Sequence, residues 1–399
     1  MARLGGLGVA LAATGAAQAL ATLGLYALPV LVSYAAPEFG VPPEAIGYQV
    51  GLVYLCAALA SAYGPRWLAR WGPARTTQVA LLAAAAGTAM LAAGRIWLAV
   101  PASALLGLGY GLTNPAAAQV LGRLVTAGRR NLVFAVKQMG VPLGLAAGGL
   151  LLPRIAEAGS WRLAMLVAAG ALATMALALG PMRAAWDRDR SALPPAAGPG
   201  LLRRAPALTA LAVTGGAYGV IQVALGAHMV AMLVGDFLQD PVTAGALVGL
   251  SQAMGALGRV GWAMWADARL GGLRALVLIG LGSGLFLLLL PILHGAETWL
   301  VALVFAGLGA TTAGWNGVLV AESVRLAPPG AAGAASGAVL SVTFGGAVLG
   351  PPAMAVLGTL MGGYAVAFAW LALLPLGGAA VAWAAGRRGA VSGRRAPNR

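Results

Sequence analysis

PMRAAWDRDRSALPPAAGPGLLRRAP, residues 181–206, is the one long stretch of this 399-residue chain that reads as a hydrophilic linker. It gathers proline, glycine and charge, which favour turns and irregular backbone over a packed element. On either side the chain is very different. It is 60% hydrophobic and only 9% charged, against about 25% charged residues in soluble domains. Apolar runs recur throughout, each long enough to cross the ~30 Å hydrocarbon core of a bilayer. Six lie before the linker, near 6–33, 46–63, 77–94, 96–121, 131–152 and 162–181, and six after it, near 206–234, 242–265, 273–293, 298–323, 333–357 and 365–386. The pattern predicts an all-α membrane protein with twelve transmembrane helices in two pseudo-symmetric six-helix bundles. Residues 1–181 form the first bundle, 182–205 a linker, and 206–399 the second bundle with a short basic tail.

A net charge of +15 raises the question of nucleic acid. Its distribution answers it. With an even number of spans, nearly every arginine falls on loops on the side of the two termini. Only Arg95, Arg154 and Arg162 fall on the other, with Glu38, Glu44, Glu157, Asp236, Asp240 and Glu297. That bias marks the basic loops as cytoplasmic, so the expected setting is the cytoplasmic (inner) membrane, multi-pass, with both termini inside. The lipid bilayer is the expected partner and nucleic acid is not. The first apolar run is too long for the core of a cleaved secretory signal and reads as a retained span. The lone Cys56 permits no intrachain disulfide and no thiol-rich metal site. No nucleophile–base constellation stands out, so neither an enzyme nor a cofactor or metal is expected. The glycine cluster GLGYG at 107–111 lacks the strand that a phosphate-binding loop requires. Inside an apolar span, small residues let helices approach.

The two halves echo each other. Thr14-Gly15 recurs as Thr214-Gly215, the GLG of 107–109 as that of 307–309, and Gly72 as Gly272. Paired six-helix repeats are a mark of transporters whose site lies between the halves. The loops after the second and eighth spans carry a further signal. GWAMWADARLGGLR (261–274) and GPRWLARWGPAR (64–75) resemble the pattern Gly-x-Leu-Ala-Asp-Arg-x-Gly-Arg-Lys of the major facilitator superfamily. The second copy keeps Asp267, Arg269 and Gly271, with one extra residue after the aspartate. The first keeps Arg66, Arg70 and Gly72 but has Ala69 where the aspartate belongs. GVPLGLAAGG (140–149) and GGAVLGPP (345–352) are similar to the helix-bending segments of that family. The resemblance implies a monomeric, alternating-access secondary transporter, with these loops forming a cytoplasmic gate in which Asp267 and Arg269 help to lock the outward-open state.

Polar groups inside the apolar spans nominate a site. Thr14, Gln18 and Thr22 form one stripe in the first span, and Thr214, Tyr218 and Gln222 form another in the seventh. Such a stripe either joins helices by hydrogen bonds or lines a cavity. The family places both spans beside the cavity. Asn114 and Asn316 sit in the fourth and tenth spans, and His228 near the end of the seventh suits a gate or interface better than a metal. Lys137, the only lysine, and Arg259 lie inside the fifth and eighth spans. A charge at the centre of a membrane helix costs at least about 2.5–3.5 kcal/mol. A lysine can snorkel to the interface, or the two cations can face each other across the halves with Glu322 or an anion between them. No carboxylate lies deep in any span. The expected substrate is therefore a small organic anion, a carboxylate, bound by Lys137 and Arg259 and read by Gln18, Gln138, Tyr218, Gln222 and Asn316. The rivals are efflux of hydrophobic or drug-like compounds, and a transporter-like membrane sensor that binds without flux.

Overall fold

The computed structural model describes residues 6–125, 130–188, 202–203, 205–328 and 332–393. Much of the expected linker 182–205 and both chain ends lie outside these residues. The described chain is helical, without strands. The first half contains α1 (Leu7–Val30), α2 (Ile46–Trp71), α3 (Pro73–Leu91), α4 (Ala99–Leu124), α5 (Arg130–Gln138), α6 (Gly140–Ala158) and α7 (Trp161–Ala178). The second contains α8 (Pro206–Gly235), α9 (Pro241–Trp265), α10 (Gly272–Leu289), α11 (Thr298–Thr312), α12 (Trp315–Arg325), α13 (Ala332–Met361), α14 (Tyr364–Leu371) and α15 (Leu373–Gly393).

Among the described residues, ten helical stretches are long and apolar enough to cross a membrane. Of the twelve runs in the sequence, those of α3 and α9 fall outside the ten. The first opens with Arg75, Thr76, Thr77 and Gln78 and continues mostly as alanine; the second carries Gln252 and Arg259 among many glycines. Neighbour relations repeat between the halves. The pairs α1–α6, α2–α4 and α3–α7 have counterparts in α8–α13, α9–α11 and α10–α15. Between the halves, α2 meets α13, α6 meets α9, and α1 meets α8.

Proline decides much of the local geometry. A proline inside a helix has no N–H for the carbonyl four residues back and crowds it, so that carbonyl needs another partner away from water. Pro115 frees the carbonyl of Gly111, which accepts a 2.6 Å hydrogen bond from Ser61 Oγ. Pro142 frees the carbonyl of Gln138, and the helix breaks there, α5 ending at Gln138 and α6 starting at Gly140. Pro153 frees that of Gly149, against which Gly245 of α9 packs so closely that a β-carbon on Gly245 would collide with the oxygen. Pro352 frees that of Val348, and a β-carbon on Gly51 of α2 would lie 3.0 Å from it. The last two contacts join the halves. Both lie toward the arginine-poor end, so that end is closed.

Each half also turns tightly at a corresponding glycine. Gly72 (φ 80°, ψ 166°) links α2 to α3, and Gly271 (φ 73°, ψ 152°) leads into α10. Only glycine adopts such a conformation without strain. Before Gly271, residues Ala266–Leu270 form a π turn in which Gly271 N–H bonds Ala266 O at 2.8 Å. A π turn is how a helix absorbs a single inserted residue, and this one takes up the extra residue after Asp267.

Candidate functional site

The site is built around the break at Gln138. Lys137 sits one residue before it and is only 2% exposed, so it does not snorkel. Its Nζ donates to Gln18 Oε1 of α1 at 2.8 Å and to Asn114 Oδ1 of α4. Thr113 Oγ1 also donates to Gln18 Oε1, at 3.2 Å. Both acceptors of the ammonium are neutral amides. An ammonium carries three donors, and two are engaged. From the other half, Arg259 Nη1 of α9 donates to the freed carbonyl of Gln138 at 3.2 Å. Arg259 is also within electrostatic reach of Tyr110 and Tyr54. Among the described residues, no carboxylate pairs with Lys137 or Arg259.

Unpartnered buried atoms gather at the same place. Gln18 Nε2, Arg259 Nε and Gln138 Oε1 are buried without a hydrogen-bond partner among the described residues. Beside the site, an apolar groove of about 410 Å³ runs between α1, at Gly8, Gly15 and Ala19, and the α5–α6 segment, at Val136 and Gly140. Gly140 closes against α1, where a β-carbon would lie 2.6 Å from the Gly15 carbonyl and 3.1 Å from Gln18 Cβ.

The other residues expected at the site are dispersed. Gln222 and Asn316 bond each other, Asn316 Nδ2 donating to Gln222 Oε1 at 3.0 Å, and neither is bonded to the Lys137 group. Tyr218 lies apart from the Lys137 group. Its hydroxyl donates to Leu276 O of α10 at 2.6 Å and its ring meets Trp315 edge-on, so it packs inside the second half. Glu322 pairs with Arg325 three residues on and does not reach Lys137. His228 is fully buried and shares a 3.0 Å hydrogen bond with Pro351 O, in a stack with Tyr364.

Sequence reasoning left Asn114 with an undecided role. It missed Thr113 and a chain of tyrosines, Tyr26, Tyr54 and Tyr110; aromatic residues in apolar spans read as packing unless their hydroxyls are followed.

At the glycine turns, the structure supplies what the first loop lacks at Ala69. The expected linker begins as a helical turn, Arg183–Trp186, and the next residue, Asp187, caps α3. Its Oδ1 accepts from Ala74 N at 2.7 Å and its Oδ2 from Arg75 N at 3.3 Å, while Arg123 Nη1 donates to Trp186 O at 3.2 Å. A β-carbon at Gly72 would lie 2.5 Å from Asp187 Oδ1, and one at Gly272 would lie 2.5 Å from Glu322 Oε2. Each half thus sets a carboxylate against its turn, from different places in sequence. Asp187→Ala should lower stability by about 1 kcal/mol, the usual worth of such a cap, and Asp187→Asn by less. Thermal melting in detergent measures both; equal melting of wild type and Asp187→Ala would refute the capping role. Arg66, exposed, lies over the Tyr63 ring at 5.2 Å. Arg70, Asp267 and Arg269 are also exposed.

At the arginine-poor end, Glu38 accepts from Trp161 Nε1 at 2.8 Å and pairs with Arg162 at 2.5 Å. Those two bonds hold its carboxyl below the usual carboxylate range. Asp240 is likewise held low, by Thr243 first, as it caps α9. Burial pushes Asp236 upward.

A polytopic helical protein with two like halves and a buried polar site where they meet has the architecture of a membrane transporter. The profile described as Major Facilitator Superfamily matches residues 14–351, and the chain belongs to that family. It is 27% identical over 303 residues to uncharacterized MFS-type transporters of Mycobacterium tuberculosis, from strains CDC 1551 / Oshkosh and ATCC 25618 / H37Rv. Each match covers 74% of this chain and 66% of the relative's length. In fold it is similar to a bacterial homolog of the human lysosomal transporter Spinster. The inward-facing, occupied form superposes with a TM-score of 0.76 at 13% identity, covering 94% of this chain and 96% of that one. The unoccupied form gives 0.73 at 13% identity, covering 96% and 97%.

Proposed function

We propose that the protein carries a small organic anion, a carboxylate, across the cytoplasmic membrane by alternating access. In this reading all twelve apolar runs span the bilayer, α3 and α9 included, as two six-helix halves that rock about the Gln138 break. The arginine-rich end is cytoplasmic. The observation that carries the reading is the pair of interior cations, Lys137 and Arg259, one from each half and, among the described residues, neither paired with a carboxylate. Interior charges in membrane proteins usually face a partner or a pathway. Here the partner is the substrate. It takes the third proton of the Lys137 ammonium, and it meets the donors on Gln18 and Arg259. Closing the halves around it brings the two cations together, which their repulsion opposes when the site is empty.

The apolar groove beside Gly15 and Val136 favours a second reading, efflux of hydrophobic compounds. Counterflow in proteoliposomes separates the two. Preloading with unlabelled carboxylate should drive uptake of labelled carboxylate, with no competition from lipophilic cations. Competition by the cations alone would favour efflux, and saturable binding without any flux would leave a sensor.

A further inference from the structure

Three phenols cluster, one from each of α1, α2 and α4, and two of them, Tyr54 and Tyr110, lie within electrostatic reach of Arg259. The hydroxyls of Tyr26 and Tyr54 share a hydrogen bond of 3.0 Å, and the Tyr54 and Tyr110 rings meet edge-on with centroids 5.7 Å apart. All three side chains are buried. A phenol brings one donor proton. Three hydroxyls in a row share at most two hydrogen bonds, so at least one proton has no acceptor within the group, and no other acceptor is bonded to them among the described residues. The cluster also lies where the halves meet. A β-carbon on Gly226 of α8 would lie 2.9 Å from the Tyr26 ring and 3.0 Å from its hydroxyl. Arg259 links the two groups electrostatically: its Nη1 donates to Gln138 O, and its charge is within reach of Tyr54 and Tyr110.

We propose that Tyr26, Tyr54 and Tyr110 form a second subsite of the anion site, taking a hydrogen-bond acceptor that the substrate carries next to its carboxylate. The proposal rests on the carboxylate reading given above and narrows it. Arg259 Nε and the Gln18 amide are buried without partners, the third ammonium proton and a phenolic proton are left over by count, and Gln138 Oε1 is an orphaned acceptor among the described residues. A buried donor without a partner is unfavourable, so the preferred ligand offers acceptors and brings few donors of its own. A 2-oxo acid meets that demand: its carboxylate lies at Lys137 and Arg259 and its keto oxygen accepts from a phenol. A 2-hydroxy acid brings an extra donor and fits less well. A plain alkanoate leaves the phenolic proton unmet.

The test is isothermal titration of the full-length protein in detergent with butyrate, 2-hydroxybutyrate and 2-oxobutyrate, which share one carbon chain. For the wild type, 2-oxobutyrate should bind about tenfold tighter than butyrate, with 2-hydroxybutyrate between them, the discrimination expected of one added hydrogen bond in a buried site. In Tyr54→Phe/Tyr110→Phe the ratio should fall to about twofold or less while butyrate affinity holds. Tyr110→Phe alone, outside the Tyr26–Tyr54 hydrogen bond, should lower the ratio in the same direction, and melting curves confirm that both variants are folded. A ratio that survives in the folded variants, or butyrate affinity that falls in step with that of 2-oxobutyrate, would overturn the subsite while leaving the anion reading intact. Failure of all three acids to bind the wild type would remove both.

Discussion

Lys137→Ala is expected to slow carboxylate counterflow at least about 30-fold, because truncating one member of a buried, hydrogen-bonded charged contact costs upwards of about 2 kcal/mol. Among the described residues the ammonium is the only cation that the first half places in this interior, and it is held by Gln18 and Asn114, two neutral groups. Alanine removes the charge and leaves the Asn114 oxygen without its donor. Lys137→Arg should restore little. A guanidinium is longer and planar and cannot take the place of a compact ammonium between two amide oxygens on neighbouring helices. Initial rates at matched reconstitution, with melting curves as a check on folding, measure the effect. A folded Lys137→Ala protein that transports within about threefold of wild type would assign the lysine to packing and remove the basis for an anionic substrate.

The second large effect is expected at Gly245. Its α-carbon lies against the Gly149 carbonyl, and a β-carbon at Gly149 would lie 2.6 Å from the Gly245 carbonyl, so neither position has room for a side chain. Added bulk in such a contact costs about 1–3 kcal/mol. Here the contact joins the halves, so the penalty falls on the state that is closed at the arginine-poor end. Gly245→Val should therefore fold, yet populate that state some tenfold less or beyond, and transport should drop in proportion. Spin labels at the exposed positions Tyr48 and Leu360, on α2 and α13 toward that end, with Cys56→Ser in the background, report the change as a longer distance. An unchanged distance together with unimpaired transport would show that the halves do not separate there.

The apolar runs made the helices legible in the sequence because lipid and the helix backbone each impose their own length and period. The family followed from the two glycine loops, and the extra residue after Asp267 is visible in the structure as a π turn. Charges inside the spans were equally readable, since their cost in hydrocarbon makes any interior lysine or arginine stand out. What a single sequence does not give is the neighbour. Gln18 and Tyr218 occupy matching stripes, yet Gln18 meets Lys137 while Tyr218 bonds Leu276 within its own half. A stripe defines a face of a helix, and the partner on that face is a matter of packing between distant segments. Asp187 makes the same point: it caps a helix that begins more than a hundred residues earlier, at Pro73. The tyrosine row was hidden for a different reason, because a phenol in an apolar span serves packing and hydrogen bonding at once.

Prolines 142, 153 and 352 each take one rung out of a helical ladder and leave an oxygen facing the other half. An oxygen released in this way is indifferent to who satisfies it. A guanidinium or incoming water can take it, and a glycine backbone can pack against it. The two halves are therefore held by attachments that can be traded for solvent at little net loss, and none of their helices has to unravel when they part. A carrier that must open and close on every cycle gains its speed from such exchangeable joints, and its internal helices can stay rigid because the yielding is confined to these few carbonyls.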